Sequence, residues 1–149
     1  MNSIGKDTHM RATLDKLKDL LEKAGKSNLI NSPLPLQDII EWEKAHNTVI
    51  PDEIKDFLQF SNGFEYNWGT LVIFPLNRIR PIADWDAVPD GWLHLGSVIG
   101  DGAYLVSDEN GDLYLDDHEN PYQRLRRISL KEWIETHTII SIEEEYDVE

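Results

Sequence analysis

Apolar residues in the first part of the chain recur at three- and four-residue spacing, then give way to short β-branched runs. Leu14, Leu17, Leu20, Leu21 and Ala24 form one stripe of an amphipathic helix, and Gly25 follows where a left-handed cap belongs. Pro33 and Pro35 keep the connection extended. A second helix should begin near Leu36, bury Ile39 and Trp42, and stop near Asn47, a residue that tolerates the left-handed conformation. Pro51 suits the first turn of a third helix, with Asp52 and Glu53 well placed against its dipole. The apolar face of that helix is Ile54, Phe57 and Leu58, and Ser61-Asn62-Gly63 ends it.

Beyond Gly63 the period shortens. Residues 70–74 are a β-branched apolar run closed by Pro75, and residues 92–95 alternate until Gly96 interrupts them. Residues 104–107 and 113–115 flank Asp108-Glu109-Asn110-Gly111-Asp112. An Asn-Gly pair suits a type I′ turn, so a β-hairpin is expected here. A further strand should cover residues 124–128. Ser129 then caps a last helix, with Glu132 three residues on as in a capping box and Leu130, Trp133 and Ile134 as its apolar face. The acidic tail from Glu143 to Glu149 is expected to fray. Helices, then antiparallel strands, then one helix predict an α+β fold. N-terminal helices pack on a largely antiparallel sheet, a C-terminal helix closes it, and the other face and its loops stay free for work. With no repeat or linker, residues 1–149 read as one domain.

Charge changes the picture more than bulk composition does. Hydrophobic residues make up 40% of 149, enough for a core. Cys is absent, which excludes disulfides and thiolate metal sites. No apolar run approaches a membrane span, and Met1 to Met10 hold no signal-type stretch, so the expected compartment is the cytoplasm. The net charge is −14, unevenly spread. Residues 1–80 hold eleven acids and ten bases, whereas residues 81–123 hold ten acids and no Lys or Arg. Such a block repels nucleic acid and anionic lipid, and would attract a basic protein.

The motifs in order also carry a resemblance. The chain reads Ile39-x-x-Trp42-Glu43, Val49-Ile50-Pro51-Asp52-Glu53, Phe57-Leu58 and Ser61-Asn62-Gly63-Phe64. It continues with Leu95-Gly96, Gly100-Asp101-Gly102, Tyr104-Leu105, Leu113-Tyr114 and Asp117-His118. Over roughly residues 36–135 this resembles the SUKH superfamily, named in part after a yeast cell-wall synthesis regulator. The N-terminal helix through Lys26 is an extension outside that core. The resemblance implies an α+β domain whose bacterial members commonly act as immunity proteins, binding and neutralising a toxin that is often a nuclease. It implies no catalytic residues, so no enzyme activity is expected.

Candidate chemistry is sparse. In Asp116-Asp117-His118-Glu119 the residue types could ligate a metal, but alternate residues of a strand point to opposite faces, and a polar strand end is the competing reading. His94 should face away from Leu93 and Leu95 as a packed or surface imidazole. Gly100-Asp101-Gly102 lacks the Lys-Ser/Thr and helix of a phosphate loop. Ser61, Ser97, Ser107 and Ser129 lack a nucleophile-elbow context. Trp42 and Trp133 sit on helix core faces, while Trp68, Trp85 and Trp92 flank loops. Trp85, between Asp84 and Asp86, is either an interface anchor or a ring folded over the core edge. Arg124, Arg126 and Arg127 should form local ion pairs. The expected partner is a cognate, basic protein toxin, with no nucleic acid, membrane, metal or cofactor. The candidate contact residues are Asp84, Trp85, Asp86, Asp90, Glu109, Asp116, Asp117 and Glu119. A scaffold or regulator of the same fold is the alternative, and a metal-dependent enzyme using Asp116, Asp117 and His118 a more distant one.

Overall fold

The computed structural model describes residues 3–67, 70–98, 102–120 and 122–149, with side chains of the first helix from Met10 onward. Trp68, Gly100, Asp101 and Pro121 lie outside the described residues. Helix α1 spans Ser3–Lys23. Lys26 N–H donates to the Leu21 carbonyl and Gly25 N–H to the Glu22 carbonyl, and with Gly25 at φ 72° this is a Schellman cap. Helix α2 (Leu36–His46) ends on Asn47 in the left-handed conformation. Helix α3 (Asp52–Phe60) buries Ile54, Phe57 and Leu58, with Pro51 as its N-cap. In α2 only Ile39 is fully buried, and Trp42 is half-buried with His46 stacked on it.

The strands are β1 (Phe64–Tyr66), β2 (Leu71–Ile73), β3 (Arg80–Pro81), β4 (Leu93–Val98), β5 (Ala103–Ser107), β6 (Leu113–Asp117) and β7 (Leu125–Arg127). All pairs are antiparallel, in the order β1-β2-β4-β5-β6-β7, with β3 also on β4. The fold is therefore α+β. Helices α1 and α3 cover one face, where Leu17, Leu20, Phe57, Leu95, Leu105 and Leu115 are almost wholly buried. Each such side chain is worth roughly 1.5–3 kcal/mol of burial.

Strand β4 does not keep a simple alternation. Its register against β5 shifts between His94 and Gly96, which leaves Leu95 as the extra residue of a β-bulge. Leu93, Leu95 and Val98 consequently face the helices, whereas His94 faces the opposite side. Gly96 is obligatory, because a Cβ there would overlap the Val72 carbonyl of neighbouring β2.

The β5–β6 hairpin forms as expected, but its turn does not. Asn110 keeps a negative φ and only Gly111 is left-handed, at 82°. Gly111 N–H donates to the Asp108 carbonyl, and Asp108 N–H to the Asp112 carbonyl. The loop is thus a type I turn followed by a left-handed glycine, not a type I′ turn. Five residues separate the paired Ser107 and Leu113, too many for a two-residue I′ loop. Asp108 fills the extra space, its Oδ1 accepting from Asn110 and Asp112 N–H.

The C-terminal helix is longer than expected. Helix α4 (Leu130–Trp133) passes through a π-helical turn (Ile134–Thr138) into α5 (Ile139–Tyr146). Ser129 accepts from Glu132 N–H as an N-cap, but the carboxylate at this terminus comes from α3. Glu53 accepts from Leu130 and Lys131 N–H at 2.8 and 3.0 Å and from the Ser129 hydroxyl. It places a negative charge on orphan N–H groups of a remote helix. The acidic tail is ordered by Ile142, buried in the core, and by Tyr66, whose hydroxyl donates to Glu145 at 2.6 Å. Burial first, and then that carboxylate, push the Tyr66 pKa upward.

Gly96→Ala should lower stability by about 3 kcal/mol, because backbone must move to admit the methyl group. Urea melts that superimpose on wild type would show that the bulge is dispensable. Glu53→Ala should cost about 2 kcal/mol through loss of the cap. In amide hydrogen exchange the Leu130 and Lys131 N–H groups should lose protection first, and protection equal to wild type would contradict the cap.

Candidate binding surface

The face of the sheet turned away from the helices carries the outward side chains of β4, β5 and β6. Period-two alternation delivers His94, Tyr104, Val106, Tyr114 and Asp116 to it. The segment of residues 82–92 crosses this face, burying Ile82 and Val88 against Val106. Its Trp85 ring lies 4.9 Å from His94 and 5.2 Å from Tyr104, and Trp92 covers Tyr114 at 5.0 Å. Trp85 is therefore half-buried, folded back over the sheet.

Asp116 is 1% exposed and accepts a hydrogen bond from Arg124 Nε at 2.8 Å. That carboxylate raises the already high pKa of the guanidinium. Arg124 Nη1 also reaches Asp86 at 3.5 Å, so one arginine ties the crossing segment to the sheet. His118 Nε2 stands 4.0 Å from the other Asp116 oxygen, and its ring meets Tyr104 edge-on at 4.8 Å. Arg126 pairs with Asp117 at 3.9 Å and Arg127 with Asp112 at 3.6 Å. Arg124, just before β7, and Arg126 and Arg127 within it thus form the local ion pairs their setting implied.

The expected contact residues divide accordingly. Asp84, Asp86 and Asp90 are exposed on the crossing segment, where Asp90 Oδ1 accepts from Asp84 N–H at 2.9 Å and Asp84 holds φ 64°. Glu119 is exposed beyond β6, and Asp117 is half-buried. Asp116 is not the exposed acid it was expected to be, because Arg124 draws it inward. Glu109 is exposed but lies at the far end of the β5–β6 pair, on the hairpin whose Gly111 approaches Val49. Arg124 and Tyr104 thus bring Trp85, Asp86 and Asp116 together, with Asp84 and Asp90 on the same segment, whereas Asp117 turns to the other face with Arg126 and Glu109 lies apart. Tyr104 and Tyr114, motif residues not among the expected contacts, also line this face, and their alternation with buried leucines is the signal for it. Tyr122, 97% exposed after β6, had no apolar pattern to announce it.

Asp116 and His118 share a face while Asp117 turns toward Arg126, so the four-residue motif does not converge. Among the described residues no group of three or more His, Asp and Glu side chains could hold a metal ion. His94 is enclosed by Phe74, Trp85 and Tyr104, and its Nε2 makes no hydrogen bond. Burial lowers its pKa, a hydrogen bond with the Gly96 backbone opposes this, and Arg78 adds to the lowering. The native ring is therefore neutral where an unfolded His is half-protonated. Full stability holds above pH ~6.5 and declines as pH falls below that value, since protons then favour the unfolded chain. His94→Phe should remove this component. Urea stability of wild type relative to the variant should fall from pH 7.5 to 5.5, and parallel curves would contradict the assignment.

No helix among the described residues is long and apolar enough to cross a membrane. No curated protein and no solved structure matches the chain. The family description that does match covers residues 33–136, from just before α2 to the π-helical turn, and leaves out α1 and α5. The chain belongs to the SMI1 / KNR4 family (SUKH-1).

Proposed function

We propose that this chain is an immunity protein: it binds a cognate, basic bacterial toxin domain in the cytoplasm and neutralises it by occlusion, without catalysis of its own. The observation that carries this reading is the exposed acidity of the crossing segment. Asp84, Asp86 and Asp90 remain exposed, Asp86 with one contact to Arg124, while Arg124, Arg126 and Arg127 pair with Asp116, Asp117 and Asp112. A nuclease must present cations to its substrate, and an anionic protein surface competes for those cations directly. The family supports a protein-binding domain of this kind. A binding role also fits the side chains with chemical potential, because Asp116 is committed to Arg124 and His94 is walled in by rings.

The test co-expresses the chain with the toxin domain encoded beside it and measures binding of the purified pair. Cells should survive. Association should slow on the order of tenfold between low salt and ~0.5 M, because steering charges are screened. Asp84→Asn with Asp86→Asn should mimic that slowing while leaving dissociation nearly unchanged. Cell death, or association indifferent to both salt and these acids, would contradict the reading.

A further inference from the structure

The turn between β6 and β7 presents a feature that charge alone does not explain. Tyr122 is 97% exposed, whereas the next most exposed large apolar side chain among the described residues, Leu36, reaches 45%. An aromatic ring left in water forfeits its burial energy in the free protein. The backbone beneath it is nonetheless held. Asp117 N–H donates to the Arg124 carbonyl at 2.7 Å, Asn120 N–H to the Asp117 carbonyl and His118 N–H to the Gly102 carbonyl. The Asn120 side chain accepts from Tyr122 N–H at 3.3 Å and from Gln123 N–H at 3.1 Å, and Asp117 Oδ1 accepts from Glu119 N–H. A ring with two side-chain torsions on backbone tied to Asn120 loses little freedom when it is captured.

The surroundings indicate what captures it. Glu119 is exposed in the same turn. Arg124, two residues along, is anchored by Asp116 and reaches Asp86, whose side chain is 89% exposed. That contact joins the turn to the segment carrying Asp84, Asp86 and Asp90, so the ring and these exposed acids belong to one surface. We propose that Tyr122 is the anchor of the partner interface, its ring entering an apolar pocket rimmed by Lys and Arg on the cationic partner. This rests on the immunity reading and deepens it. The acids draw the partner in, and Tyr122 sets how long it stays, the division expected of rim charges and a central aromatic.

The test uses the full chain and the toxin domain encoded beside it, with Tyr122→Ala and Tyr122→Phe, and Ile140→Ala as an exposed apolar control on α5. Tyr122→Ala should dissociate about 30-fold faster or more, with association within about twofold of wild type. Tyr122→Phe, which keeps the ring, should dissociate within about threefold of wild type, and Ile140→Ala should match wild type. Thermal melts of Tyr122→Ala should superimpose on wild type, since the ring supports nothing in the free protein. Tight wild-type binding with unchanged dissociation of Tyr122→Ala would overturn the anchor and leave the immunity reading standing. Equal loss in Tyr122→Phe and Tyr122→Ala would make the hydroxyl, not the ring, the contact and would overturn the apolar pocket. Failure of wild type to bind at all would overturn the immunity reading and the anchor with it.

Discussion

The close approach of β4 to β2 at Gly96 sets the phase of the sheet. Only hydrogen fits against the Val72 carbonyl, so the chain passes there by way of a bulge and Leu95 is left without a partner on β5. Before the bulge, Leu93 faces the helices and His94 faces away. After it, Gly96 and Val98 occupy the helix-facing register opposite Leu105 and Ala103. A regular strand would have sent Val98 outward and Ser97 into the core, since a one-residue slip exchanges the faces. The bulge lets one strand contribute to both layers. His94, just before the bulge, keeps its regular outward place among the rings that receive Trp85.

Charge along the chain and charge in space are different quantities here. Ten acids without a base between residues 81 and 123 suggest a continuous anionic surface. Strand β7 lies beside β6, however, and it and the residue before it supply Arg126, Arg127 and Arg124 to acids at or near the sheet. The neutralisation is selective. A carboxylate as buried as Asp116 must be paired, and its hydrogen-bonded arginine satisfies that requirement. The contact to exposed Asp86 adds little energy of its own, but it directs the crossing segment toward the β6–β7 turn. What remains unpaired is outermost, where steering operates.

Local physics was legible in the sequence wherever it acted alone. The leucine stripe and Gly25 mark α1 and its cap, Asn47 marks the end of α2, and Pro51 marks the start of α3, because each signal depends only on neighbours within a turn. Alternation placed His94 and the β5–β6 pair correctly. The turn type was missed because Asn-Gly specifies a I′ geometry only when two residues separate the strands, and Asp108 stabilises a longer loop with its own carboxylate. β1 and β3 are only three and two residues long, too short to show a period. The role of Glu53 leaves no local signal, because its partners lie far along the chain. Its position favours the dipole of α3, while its side chain serves a helix 77 residues away. In the site, charge composition locates the acids but does not separate Asp116, Asp117 and Glu109 from the others, since burial, facing and distance are tertiary facts.

The two elements outside the family match explain why the recognition surface falls where it does. Helix α1 is not an appendage: Leu17, Leu20 and Leu21 are almost wholly buried in the main core. It lies against the C-terminal helix, where Thr13 donates to Glu135 at 2.5 Å, Lys16 pairs with Glu143 at 3.6 Å and Lys23 donates to the Glu149 carbonyl. The C-terminal helix in turn starts on Glu53 of α3, so α1, α3 and α5 form one closed layer in which each braces the next. That layer commits one face of the sheet to stability. Among the described residues the opposite face is crossed by residues 82–92, held by rings and by Arg124 rather than by a second helical layer. A surface built in this way can change its acids and its exposed turn without disturbing the core, since neither contributes a side chain to the helix-facing cluster.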